Sequence, residues 1–176
     1  MKVEVIPYDL RWQDAFVAEA KKISVALGET IAAIHHIGST AIPNIYAKPI
    51  IDILVEVNDL AQVEARNAAM EALGYEVMGE FGIAGRRYFR KHNAMGDRTH
   101  HVHIFEYGSP ESDRHLAFRD YMIAHPEAAQ HYSQLKRSLA AKFPNHRESY
   151  MDGKDSFIRE KERQALKWRN TINCQH

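Results

Sequence analysis

Residues 36–57 read HIGSTAIPNIYAKPIIDILVEV, and this stretch sets the expectations for the fold. From Pro49 to Val57 it is dense in β-branched residues and opens on a proline, which a strand tolerates at its first position but not within a central ladder. This segment is the strongest strand signal in the chain. Upstream, Ile31–Ile37 is apolar and β-rich and stops at Gly38-Ser39-Thr40, after which Pro43 and Asn44 keep the connection irregular. The pattern is therefore strand, loop, strand.

Working outward, residues 9–27 place Leu10, Ala15, Phe16, Ile23 and Leu27 at helical spacing, with Gly28 as the stop. Residues 59–73 predict a second helix, capped by Asn58 or Asp59 and ended by Gly74. Tyr75–Met78, Arg87–His92 and Thr99–Tyr107 read as further strands, the last two joined as a hairpin through residues 93–97. From Glu111 onward the pattern is helical, with breaks expected near His125-Pro126, Pro144-Asn145 and Asp152-Gly153. Phe118, Tyr121, Met122, Tyr132, Phe143 and Phe157 recur near helical spacing and read as core. The fold class expected is α+β, a mixed β-sheet flanked by helices with a helical C-terminal portion. A length of 176 residues suits one domain, sheet-rich over 1–108 and helical over 109–170, the second part packed on the first.

The charges balance, 23 basic against 23 acidic. No field spans the sequence that would draw it onto nucleic acid or anionic lipid, so any polyanion contact must be local. MKVEVIPYDLRW does not resemble a secretory leader, and no stretch approaches a membrane span. The single cysteine, Cys174, lies in a polar tail and offers neither an internal disulfide nor a thiolate cluster, so a reducing compartment, the cytoplasm, is expected.

Two features carry candidate chemistry. Gly38 permits a tight turn and close approach of a ligand to the backbone, while Ser39 and Thr40 supply hydroxyls and N–H groups to phosphate oxygens. The alternative is an ordinary turn at the end of a strand. Asp52 is an acid within an otherwise apolar run, and a buried carboxylate needs a cation, N–H donors or a solvated cleft. A place on an exposed edge strand, or a structural basic partner, would also explain it. Together they would set a phosphate cradle beside a carboxylate, as phosphoryl transfer requires. In Thr99–Glu106, His101 and His103 share one face and His100 takes the other, so the first pair could act as metal ligands or as an acid–base group beside Asp52. Half-buried, hydrogen-bonded strand histidines are the plainer reading. Lys48, Arg86, Arg87, Arg119 and Lys136 could each clamp a phosphate. Lys154 is the favoured basic candidate, because Asp152-Gly153 is expected to place it at a helix start.

The stretch 36–57 resembles the signature of the GrpB family, within the nucleotidyltransferase superfamily of kanamycin nucleotidyltransferase-type and polymerase-β-type folds. HVHIFEYGSPESDRHLAFRDYM at 101–122, HYSQLKRSLAAKF at 131–143 and YMDGKDSFI at 150–158 extend the resemblance over nearly the whole chain. It implies a nucleotidyltransferase-like sheet in which Gly38 and Ser39 hold nucleotide phosphates and Asp52 ligates magnesium, with manganese or zinc as the alternative if His101 and His103 join it. The wider superfamily places a second acid two residues after the first, where this chain has Leu54. Glu56 shares the face of Asp52 but lies about 13 Å along the strand, at roughly 3.3 Å per residue, too far to share a metal cluster. The resemblance thus implies a metal-dependent nucleotidyltransferase that uses a nucleoside triphosphate. The missing acid leaves two alternatives: a non-catalytic module that binds a nucleotide or a phosphorylated small molecule, and a His/Asp metal phosphohydrolase. Family members also occur fused to a dephospho-CoA kinase, so a partner enzyme is expected as an associate, or else a second copy in a homodimer.

Overall fold

A computed structural model describes residues 3–174. The elements are α1 (Arg11–Leu27), β1 (Ile31–Ile37), β2 (Ile51–Val57), α2 (Leu60–Glu64), α3 (Asn67–Ala72), β3 (Tyr75–Val77), β4 (Arg87–His92), β5 (Arg98–Glu106), α4 (Pro110–Ala124), α5 (Pro126–Lys142) and α6 (Arg147–Asn173). The five strands form one sheet in the order β1-β2-β5-β4-β3. β2 and β5 run parallel and the other neighbours antiparallel, so the protein is α+β with a mixed sheet. The chain divides into two compact units that interleave in sequence. One holds Leu10–Gly38 and Ile50–Ser112; the other holds the chain up to Asp9, Ser39–Pro49 and the chain from Asp113.

The sheet unit is built around β2. Ile51, Ile53, Leu54, Val55 and Val57 are all buried, as an inner strand covered on both faces demands. α1 contributes Trp12, Ile23 and Leu27 to this core and ends at Gly28, whose φ of 69° is the left-handed stop that glycine takes without strain. The single helix expected over 59–73 is instead two. Arg66 N–H donates to Val63 O three residues back, tightening the backbone between α2 and α3. The β4–β5 hairpin closes as expected, with Asn93 Oδ1 accepting from the N–H groups of Met95 and Asp97. On one face of the sheet the buried Glu19 carboxylate accepts from Tyr75 Oη at 2.7 Å and Lys91 Nζ at 2.5 Å. Burial pushes its pKa up, but these bonds outweigh it and hold Glu19 below the ordinary carboxylate value. His100 belongs to this face, its Nε2 3.9 Å from Glu19 Oε2.

In the second unit Ile42, Ile45, Met122, Ala128, Ala129 and Tyr132 form the core, with Phe118, Tyr121, Phe157 and Ile158 packed against it. The irregular segment 39–49 is anchored by paired backbone bonds between Ile6 and Ala47 and by Tyr46 N–H donating to Ser133 Oγ. The breaks at His125-Pro126 and Pro144-Asn145 are present. The break expected at Asp152-Gly153 is not, because α6 runs unbroken from Arg147 to Asn173. A Cβ at Gly153 would collide with Leu139 of α5, so this glycine serves close helix packing and not a turn. Lys154 consequently lies within a helix and not at a helix start. No helix among the described residues is long and apolar enough to cross a membrane.

Candidate functional site

The sheet topology gathers the first site. Asp52, the second residue of β2, is registered against Ile37 of β1 on one side and His101 of β5 on the other. β2 is not an edge strand, which removes the bland reading of an acid turned to bulk water. Gly38 follows Ile37 with φ 75°, and a Cβ there would fall 2.6 Å from Asp52 Oδ2. The turn is glycine for two reasons: its left-handed backbone and the carboxylate pressed against its Cα.

Asp52 is 26% exposed, with His101 Nδ1 3.3 Å and His103 Nε2 3.5 Å from its Oδ1. Burial raises the Asp52 pKa, but hydrogen bonds and charge from the two imidazoles prevail and hold the carboxyl well below its usual value. It is therefore the ionised acceptor. Arg86 Nη1 lies 3.3 Å from His103 Nδ1, and a guanidinium can only donate. His103 Nδ1 is thus the acceptor, and its proton sits on Nε2, facing Asp52. Arg86 is itself fixed by donating to the carbonyls of Glu80 and Phe81 and by lying 4.7 Å over the Tyr88 ring. Burial lowers the Arg86 pKa from its ordinary value.

His101 is held differently. Its Nδ1 faces the ionised carboxylate and so carries the proton, while its Nε2 is buried with no hydrogen-bond partner. With a proton on Nδ1, the ring directs its Nε2 to a buried position that no group of the protein fills. Tyr88 packs edge-on against His101 and beside His103, with centroids 5.7 and 5.3 Å away. Burial raises the Tyr88 pKa, which Arg98 lowers, Asp52 raises, and Arg90 and Arg86 lower. One face of the sheet thus carries an acid, two imidazoles, a phenol and three arginines.

The other candidates fall elsewhere. Arg87 ion-pairs with Glu64 at 2.6 Å, so its neighbour Arg86, and not Arg87, serves the histidines. Leu54 is fully buried, so the position where a second acid would stand is closed by an apolar side chain. Glu56 is occupied by His35 Nε2 at 2.8 Å. In the second unit Ser39 Oγ donates to Tyr132 Oη at 3.3 Å, Thr40 is buried, and Arg119 Nε donates to Asp120 at 2.9 Å. Lys48 and Lys154 both lie over the Tyr150 ring, 4.4 and 5.0 Å from its centre.

The donor set at Asp52 does not fit magnesium, which seeks several oxygen ligands. It offers one carboxylate whose Oδ1 already faces two imidazoles, and both nitrogens of His103 are engaged. Zinc or manganese would find only Asp52 Oδ2 and His101 Nε2. Among the described residues no group of three or more His, Cys, Asp and Glu side chains is placed to hold a metal ion.

The family described as GrpB protein matches residues 2–164. The chain belongs to the GrpB family. A crystal structure of the conserved protein GrpB from Enterococcus faecalis superposes with a TM-score of 0.89 at 44% identity, covering 93% of this chain and 98% of that one. The UPF0157 protein YqkA of Bacillus subtilis is 48% identical over 98% of this chain and 50% of its own length. The chain thus spans half of that relative, and 65% of the UPF0157 protein PA4798 of Pseudomonas aeruginosa, to which it is 39% identical over 89% of its own length. It is also 26% identical to a dephospho-CoA kinase of Mycolicibacterium paratuberculosis, over 94% of this chain and 46% of that protein.

Proposed function

We propose that this GrpB chain is a nucleotidyltransferase-type enzyme in which His101, held by Asp52, takes the proton from an acceptor hydroxyl as that oxygen attacks a nucleoside triphosphate. The observation that carries the reading is the buried, unpartnered Nε2 of His101, opposite an Nδ1 turned to an ionised carboxylate. A buried nitrogen without a partner costs about 1–3 kcal/mol, a cost kept where a ligand completes the bond. In the step, the acceptor O–H proton passes to Nε2, the O–P bond forms at the α-phosphorus and pyrophosphate leaves. Asp52 stabilises the imidazolium, Arg86 fixes His103 in the tautomer that donates to Asp52, and the arginines on this face offset phosphate charge. The resemblance of residues 36–57 to the nucleotidyltransferase superfamily motivates the choice of a nucleoside triphosphate as substrate.

The buried Leu54 favours a second reading, a module that binds a nucleotide or phosphometabolite without turning it over. The likeness to a dephospho-CoA kinase, of which this chain covers less than half, gives that reading a setting beside a partner enzyme. One experiment separates the two. Nucleoside triphosphates are titrated calorimetrically, and pyrophosphate release is followed with a panel of hydroxyl acceptors. The enzyme reading expects release that falls about 10²–10⁴-fold in His101→Gln. Binding with no release across the panel selects the module, and the absence of any nucleotide binding removes both.

A further inference from the structure

The second unit holds a group that the Asp52 chemistry does not use. Lys136, on α5, is 1% exposed, and its Nζ has no hydrogen-bond partner. It lies 4.4 Å over the ring of Tyr132, one turn earlier on the same helix. Charge of its own sign surrounds it. Lys154 of α6 and Lys48 of the segment before β2 act on it, and both of these lysines lie over the ring of Tyr150. The Tyr150 hydroxyl is likewise buried and unpartnered. Burial, and then the charges of Lys154 and Lys48, pull the Lys136 ammonium down to about 6.

Folding does not gather two amines around an unpaired buried one without compensation, since each like charge adds to the cost of desolvation. An anion removes both penalties at once. We infer that Lys48, Lys136 and Lys154 form a phosphate-binding site, with Lys136 as its floor and the hydroxyl of Tyr150 as a neutral donor. A phosphate group suits it because three ammonium donors match its charge and its several acceptor oxygens. The site stands on second-unit residues alone and goes beyond the Asp52 reading. Its mark is proton coupling: Lys136, largely neutral above pH 6, must take up a proton as the anion binds.

Isothermal titration of the full chain with inorganic phosphate and with pyrophosphate, at pH 7.5 in buffers of different ionisation enthalpy, reads that coupling. Binding with uptake of about one proton is expected. Lys136→Met, which keeps the length of the side chain, should abolish the uptake and weaken binding at least about tenfold. Lys154→Gln should weaken binding while leaving the uptake, which keeps the test open should the buried substitution unfold the chain. Absence of binding for both anions, binding without proton uptake, or unchanged titrations in Lys136→Met and Lys154→Gln would overturn the site.

Discussion

Replacing Gly38 with alanine tests whether the turn and Asp52 are one structural unit. Gly38 has φ 75°, where an L-residue pays about 1–2 kcal/mol relative to glycine. The added methyl would lie 2.6 Å from Asp52 Oδ2, 3.0 Å from its Cβ and 3.1 Å from its Cγ, and crowding of that kind costs about a further 1–3 kcal/mol. The total, about 2–5 kcal/mol, corresponds to a fall of about 1–2.5 M in the urea midpoint for a slope near 2 kcal/mol per M. The second component is the diagnostic one. Asp52→Ala removes the carboxylate that the methyl strikes, so in a double-mutant cycle the pair should be at least about 1 kcal/mol less destabilised than the sum of the singles. Strict additivity would show that the clash carries no energy and that glycine is required for its backbone alone.

Gly153→Ala poses the opposite contest: helix propensity favours alanine by about 1 kcal/mol, yet the methyl meets Leu139. Chemical denaturation should therefore show net destabilisation, relieved in Gly153→Ala/Leu139→Ala. Acid stability follows from Asp52, whose folded pKa is depressed below the unfolded value of 3.8, so the unfolded chain binds the proton more readily. Its contribution is full above about pH 4 and is lost as pH falls further. Across that range, unfolding midpoints of wild type should drop more steeply than those of Asp52→Asn.

Much of the fold was legible because its signals are local. The apolar run at 50–57 and the stop at Gly38 are expected and found as β2 and the end of β1, and alternation placed His100 opposite His101 and His103. What escaped is long-range. A glycine inside a helical pattern reads as a break until Leu139 of another helix is seen against it. Arg86 and Arg87 are equivalent as sequence, and only the hairpin register with Glu64 nearby gives one to His103 and the other to an ion pair. Lys136 was one basic residue among several, because burial and the approach of Lys48 and Lys154 depend on how α5, α6 and the segment before β2 pack. Asp52 and the histidines could each be named, but their meeting depends on β2 and β5 lying side by side in parallel register, which no local pattern encodes.

The proposed chemistry turns on the state of one imidazole, and nitrogen-15 NMR of the histidine side chains reads it directly. From its contacts, His101 should show a protonated Nδ1 and a bare Nε2, with the Nε2 resonance moving on addition of a nucleoside triphosphate and a hydroxyl acceptor. A proton resident on Nε2, or an Nε2 signal indifferent to both additions, would contradict it.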